Sequence, residues 1–146
     1  MPQYSKVEYV GNETLTVHTA MLAILHNLMF DPHSLDAKVE RRIRLRKIDF
    51  GLEDVTFLPY WKEQAGKRLN ASSEHIKISI FEKPNGEFLA AVFNNSPTET
   101  EFQLDTPGVF KSATWYDPLT DASSDWSQST SLKLKPYLGA LLTIRR

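Results

Sequence analysis

The sequence contains no cysteine. That absence removes disulfides, thiolate zinc sites, iron–sulfur clusters and a cysteine nucleophile together. Glycine is scarce, with six in 146 residues, and none falls in a G-x-S-x-G or a common phosphate-loop pattern. Net charge is nearly absent: 17 basic and 18 acidic side chains leave −1. No global basic field therefore draws nucleic acid or an anionic membrane. No apolar run reaches the roughly 18 residues of a membrane-spanning helix. The N-terminal MPQYSKVEYV lacks the basic start and apolar middle of a signal peptide. No cofactor is implied, and localisation stays open. What remains is globular composition, 41% hydrophobic and 24% charged, with room for one sizeable core.

Periodicity divides the chain into residues 1–72 and 73–146. The first part reads as helical. Asn12 stands where an N-cap belongs, and Val17, Met21, Ile24, Leu25 and Leu28 follow at helical spacing. Leu15, Leu22 and Met29 widen the stripe, and Asp31-Pro32 ends it. Ser34 is a candidate second cap, Leu35, Val39 and Ile43 carry the next helical period, and Gly51 is its stop. Residues 52–61, LEDVTFLPYW, read as extended with a bend at Pro59.

The second part reads as strands: 74–82, 87–94, 99–104, 112–117, 131–135 and 139–144. Ile76, Ile78 and Ile80 alternate with Lys77 and Ser79, the mark of a half-buried strand. Asn85-Gly86 supplies the positive φ that a tight hairpin needs. Short strands with frequent turns predict an antiparallel sandwich.

Candidate chemistry is thin. His18 and His26 lie eight residues apart on one helix, about 12 Å, too far to share a metal, and with His33 and His75 they define no metal site. Asp49, Glu53 and Asp54 cluster about Gly51, as a glycosidase's paired acids do and as a helix end does. Residues 36–47 hold six basic and two acidic side chains, a patch for an acidic partner or a solvated face with local ion pairs. The aromatics Tyr60, Trp61 and Trp126 are the candidate carbohydrate contacts, since flat rings suit the C–H faces of sugars. Trp115, Tyr116 and Tyr137 are further aromatics of the same kind.

The second part also carries a family resemblance. PNGEF, LAAVFNNSPTETEFQL, ATWYDPLTD and LKLKPYLGALLTI occur in that order. This order resembles the C-terminal β-sandwich that follows the catalytic barrel in many glycoside hydrolases. LHNLMFD and IDFGLEDVTFLPYW look like the junction before the sandwich in glycoside hydrolase family 123-like enzymes. The resemblance covers most of the chain, from about Leu22 to Ile144.

It implies a mostly β fold, an antiparallel β-sandwich of the glycosyl hydrolase C-terminal type with an N-terminal helical segment packed against it. It also implies a non-catalytic accessory role, with a catalytic barrel as partner in cis or in trans. The family's catalytic acids belong to the barrel, and no Asp-Glu pair occurs in this sequence, so no catalytic residue carries over. The wide stripe of Leu15, Leu22 and Met29 is then expected to face that other domain. The rival expectations are a carbohydrate-binding module, a small hydrolase built on Asp49, Glu53 or Asp54, and an interaction protein using Arg41 to Lys47.

Overall fold

A computed structural model describes residues 12–28 and 36–146. In chain order the elements are α1 (Glu13–Leu25), α2 (Ala37–Phe50), β1 (Thr56–Leu58), α3 (Glu63–Arg68), β2 (Asn70–Ala71), β3 (Ile76–Glu82) and β4 (Phe88–Asn94). They continue with β5 (Thr100–Asp105), β6 (Ser112–Asp117), β7 (Ala122–Asp125), β8 (Ser131–Leu134) and β9 (Gly139–Arg145). A six-stranded sheet has the order β1-β3-β4-β9-β6-β7, and a three-stranded sheet the order β2-β5-β8. Every pairing is antiparallel. The fold is the expected β-sandwich, with α1 and α2 packed on one side of it.

The central strands of the large sheet are buried on both faces, and strand alternation assigns their core residues to one of two cores. Ile76, Ile78, Ile80, Phe88, Ala90, Val92, Leu142 and Ile144 meet Phe102, Leu104 and Leu134 of the small sheet. Phe81, Leu89, Ala91, Phe93 and Leu141 meet Val17, Met21, Ile24, Val39, Ile43 and Phe50 of the helices. Strand β4 lies in the middle and all seven of its residues are buried. The boundary at residue 72 falls between strands that pair across it: β1 with β3, and β2 with β5.

Local chemistry explains the ends of the elements. Asn12 Oδ1 accepts from the Leu15 amide at 2.8 Å. Asp36 caps α2 by accepting from the Lys38 and Val39 amides, each at 3.1 Å; Ser34 lies outside the described residues, as do Met29, Asp31, Pro32 and His33. Gly51 stops α2 at a φ of 82°. Thr16 Oγ1 donates to the Asn12 carbonyl and accepts from the Asp36 amide, both at 2.9 Å, which locks the two helix starts together.

Leu28 departs from the expected stripe. Helix α1 closes at Leu25, His26 Nδ1 bonds the Leu22 carbonyl at 2.9 Å, and Asn27 takes a φ of 54°. The chain turns away there, and Leu28 is exposed. Leu15 is half-buried and Leu22 sits at the edge of exposure.

Gly139 allows a close approach of α1 to the sheet. A Cβ at this position would lie 2.7 Å from the Val92 carbonyl oxygen and 3.1 Å from both Cβ and Cε of Met21.

Candidate functional site

The exposed aromatic feature of the helical side is a corner where α1 ends, β1 runs out and β3 passes between them. Ser79 sits on the helix-facing side of β3, fully buried. Its hydroxyl donates to the Leu25 carbonyl at 2.6 Å and accepts from the Tyr60 amide at 3.1 Å. That pair of bonds sets where the loop after Pro59 leaves the sheet.

His26 closes the corner. Nδ1 donates to the Leu22 carbonyl, because a carbonyl only accepts, so Nε2 is free to accept from Tyr60 Oη at 3.4 Å. The imidazole stacks on the Trp61 indole, with centroids 5.8 Å apart and planes at 24°. Tyr60 meets Trp61 edge-on at 5.1 Å, and Phe57 does so at 6.4 Å while packing on Phe81. Such offset and edge contacts orient the rings. Trp61 remains 55% exposed. The corner therefore offers a partly open indole on a stiff base, with Tyr60 half-buried beside it.

Trp126 belongs elsewhere. It is 3% exposed, packs on Phe110 at 5.7 Å and follows β7, at the opposite edge of the sheet from β1. Five strand spacings of about 4.8 Å separate those edges. Trp126 cannot share a platform with Tyr60 and Trp61, and burial removes its face from solvent. The sequence hid this because Trp126 lies in a polar stretch, and Phe110, its ring partner, is remote in the chain.

The basic run on α2 is largely occupied by the chain itself. Arg44 pairs with Glu40 at 3.1 Å, and Arg42 reaches Asp121 at 3.8 Å. The Arg46 guanidinium lies 4.4 Å over the Tyr116 ring, and Tyr116 Oη donates to Asp121 Oδ1 at 2.9 Å. Burial pushes the Tyr116 phenol up to about 12, with the bond to Asp121 and its charge adding to the rise and Arg46 opposing it. Asp121, in the turn of WYDPLTD, is the residue of this cluster that sequence reasoning missed. Its ion-pair partner Arg42 lies far away on α2, so no local spacing announces that contact.

Asp49 lies on the last turn of α2, and Glu53 and Asp54 in the turn beyond Gly51; all three are exposed. His18 Nδ1 bonds the Tyr137 carbonyl at 2.8 Å, and its ring lies 5.9 Å from Phe93. His75 is exposed at the start of β3. Among the described residues no three His, Cys, Asp or Glu side chains gather as metal ligands, and no helix is long and apolar enough to cross a membrane.

No protein-family model matches this chain, and no curated protein does. Similar solved structures exist. A candidate α-N-acetylgalactosaminidase from Bacillus halodurans is similar at 21% identity and a TM-score of 0.38, over 54% of this chain and 19% of that one. A family 27 β-L-arabinopyranosidase from Geobacillus stearothermophilus is similar at 12% identity and a TM-score of 0.36, over 51% and 18%. A candidate α-galactosidase from Bacteroides fragilis is similar at 19% identity and a TM-score of 0.36, over 51% and 17%. The family named among these is 27, not 123. This chain spans less than a fifth of the length of each, and the likeness extends over about half of this chain.

Proposed function

We propose that this chain is a non-catalytic accessory domain of a glycoside hydrolase, corresponding to the C-terminal sandwich of a family 123-like enzyme and packing against a catalytic barrel. One observation carries the reading. Several residues in the segments that bear the resemblance hold the fold together. In FNNS, the buried Asn94 amide donates to the carbonyls of Thr98, Leu134 and Lys135 at 3.0, 2.9 and 3.2 Å. In WYDPLTD, Tyr116 holds Asp121 across the turn. In LKPYLGALL, Leu141 and Leu142 fill the two cores. Residues used this way serve packing.

The test is turnover of aryl glycosides by this chain alone, and the heat resistance of a barrel with and without it. The expected result is no turnover alone and a lower inactivation temperature for the barrel without it. Turnover by this chain that vanishes in Asp49→Asn, Glu53→Gln or Asp54→Asn overturns the reading in favour of a small hydrolase.

The exposure of Trp61 favours a second reading, glycan contact through Tyr60 and Trp61. Retardation on polysaccharide affinity gels that is lost in Trp61→Ala supports it; equal mobility of the two proteins on every gel ends it.

A further inference from the structure

The helix-facing side of the large sheet changes character along β6 and β9. Tyr116 and Leu141, opposite each other in the register, join the core under the helices. Two residues further along each strand the same face carries Thr114 opposite Thr143, and two further Ser112 opposite Arg145. Partners across such a ladder stand about 5 Å apart, and successive rows about 7 Å. The end of α2 brings Arg46 and Asp49 against this polar strip, and a cleft of about 190 Å³ lies between helix and strands. It has the volume of about six waters. A single small ring fits there, whereas a drug-sized ligand takes about 300 Å³ or more.

The chemistry of the cleft narrows the ligand. Its walls carry two guanidinium groups against one carboxylate. Arg145 is shared, 3.5 Å from Glu87 and 5.2 Å over the Phe50 ring. Arg46 lies 4.4 Å over the Tyr116 ring and has no ion-pair partner among the described residues. The ring orients the guanidinium, whose fork of donors suits the paired oxygens of a carboxylate or a phosphate. Asp49 decides between the two. An ionised carboxylate only accepts hydrogen bonds, so it repels a doubly charged phosphate and favours a ligand that also donates through hydroxyls. Ser112, Thr114 and Thr143 can donate and accept, and their hydroxyls have no hydrogen-bond partner among the described residues.

We propose that the cleft between the end of α2 and the β6–β9 ladder binds one sugar-acid residue of the uronic type, its carboxylate on Arg46 and its hydroxyls on Asp49, Thr114 and Thr143. The site is separate from the aromatic corner at Tyr60 and Trp61, and it does not depend on the accessory-domain reading.

The test is a heteronuclear NMR titration of this chain with glucuronate, glucose, acetate and sulfate. The expected result with glucuronate is a saturating shift at residues 46–50, 112–116 and 143–145, in about the millimolar range for so small a ligand. Glucose and acetate should each bind about tenfold or more weakly, since each lacks one half of the match. Arg46→Ala should weaken glucuronate about tenfold or more through loss of the charge-assisted pair. The same variant, altered at an exposed position, should keep its melting temperature within about 4 °C. Thr143→Val, close in shape, should weaken glucuronate about threefold or more and leave acetate unchanged. Glucose binding as tightly as glucuronate overturns the role of the acid. Acetate or sulfate binding as tightly overturns the sugar and leaves plain anion attraction. Shifts confined to residues 57–61 move sugar contact to the aromatic corner and overturn this site, as does the absence of any shift.

Discussion

The hydroxyl of Ser79 donates to the carbonyl of Leu25 at 2.6 Å, which ties the end of α1 to the third strand. The same oxygen takes the Tyr60 amide at 3.1 Å. One buried atom thus fixes the distance between a helix end and the loop that carries Trp61. Ser79→Ala leaves two backbone groups without this partner and should cost about 1 to 3 kcal/mol. Urea unfolding measures the loss. Hydrogen exchange should find the added mobility concentrated at residues 59–62.

Asn94 should be the most sensitive polar residue of the strand half. Its side chain holds three carbonyls and accepts from Thr100 Oγ1 at 3.3 Å, so it joins the β4–β5 turn to the end of β8. Asn94→Ala should destabilise by about 2 to 4 kcal/mol. The neighbouring exposed Asn95 should tolerate alanine within about 0.5 kcal/mol. Chemical denaturation of the two variants side by side decides whether adjacent asparagines differ this much.

Two glycines should respond to alanine in opposite directions. At Gly139 the new methyl meets a backbone carbonyl and Met21, and the overpacking should cost about 1 to 3 kcal/mol. At Gly66, inside α3, nothing lies within 4 Å, and alanine should stabilise by about 0.5 to 1 kcal/mol through helix propensity. Thermal melts of both variants test the sign of each.

Tyr116 gives a pH signature. Its phenol is raised from 10.0 to about 12 in the folded chain, so the unfolded state loses that proton first as pH rises. The protonated phenol's contribution is fully present below pH 10 and is lost between pH 10 and about 12. Phenolate absorbance should show a late titration step near pH 12. Tyr116→Phe should remove that late step and flatten the fall in stability over the same window.

The two tryptophans outside the strands should separate by substitution. Trp126→Ala empties a core position and should cost about 3 to 5 kcal/mol. Trp126→Phe should cost much less, since the buried indole N–H has no hydrogen-bond partner among the described residues. Trp61→Ala should cost about 1 kcal/mol or less, the scale of its aromatic contacts. Denaturation midpoints for the three variants test the order.

The sequence made some elements legible and left others dark for physical reasons. Strands β3 and β4 announce themselves because apolar residues recur on a two-residue period and Asn85-Gly86 marks the hairpin between them. Asn12 as a cap follows from its side chain alone. Strand β7, ASSD, is invisible because all four residues are exposed at a sheet edge; only pairing to β6 makes it a strand. The two residues of β2 and the six of α3 are too short for any period. The aromatic corner was half legible. Tyr60 and Trp61 stood out by type, whereas His26 and Ser79 joined them only through tertiary contact.

The central position of β4 has a consequence for the order of assembly. Its partner on one side, β3, is separated from it by five residues along the chain, so that pairing needs almost no loop closure. Its partner on the other side, β9, begins 45 residues after β4 ends. The intervening chain must first lose the entropy of closing that long loop, and pairings of this separation form slowly. The β3–β4 hairpin is therefore the template that forms early, and the arrival of β9 is the late step that zips the two cores shut.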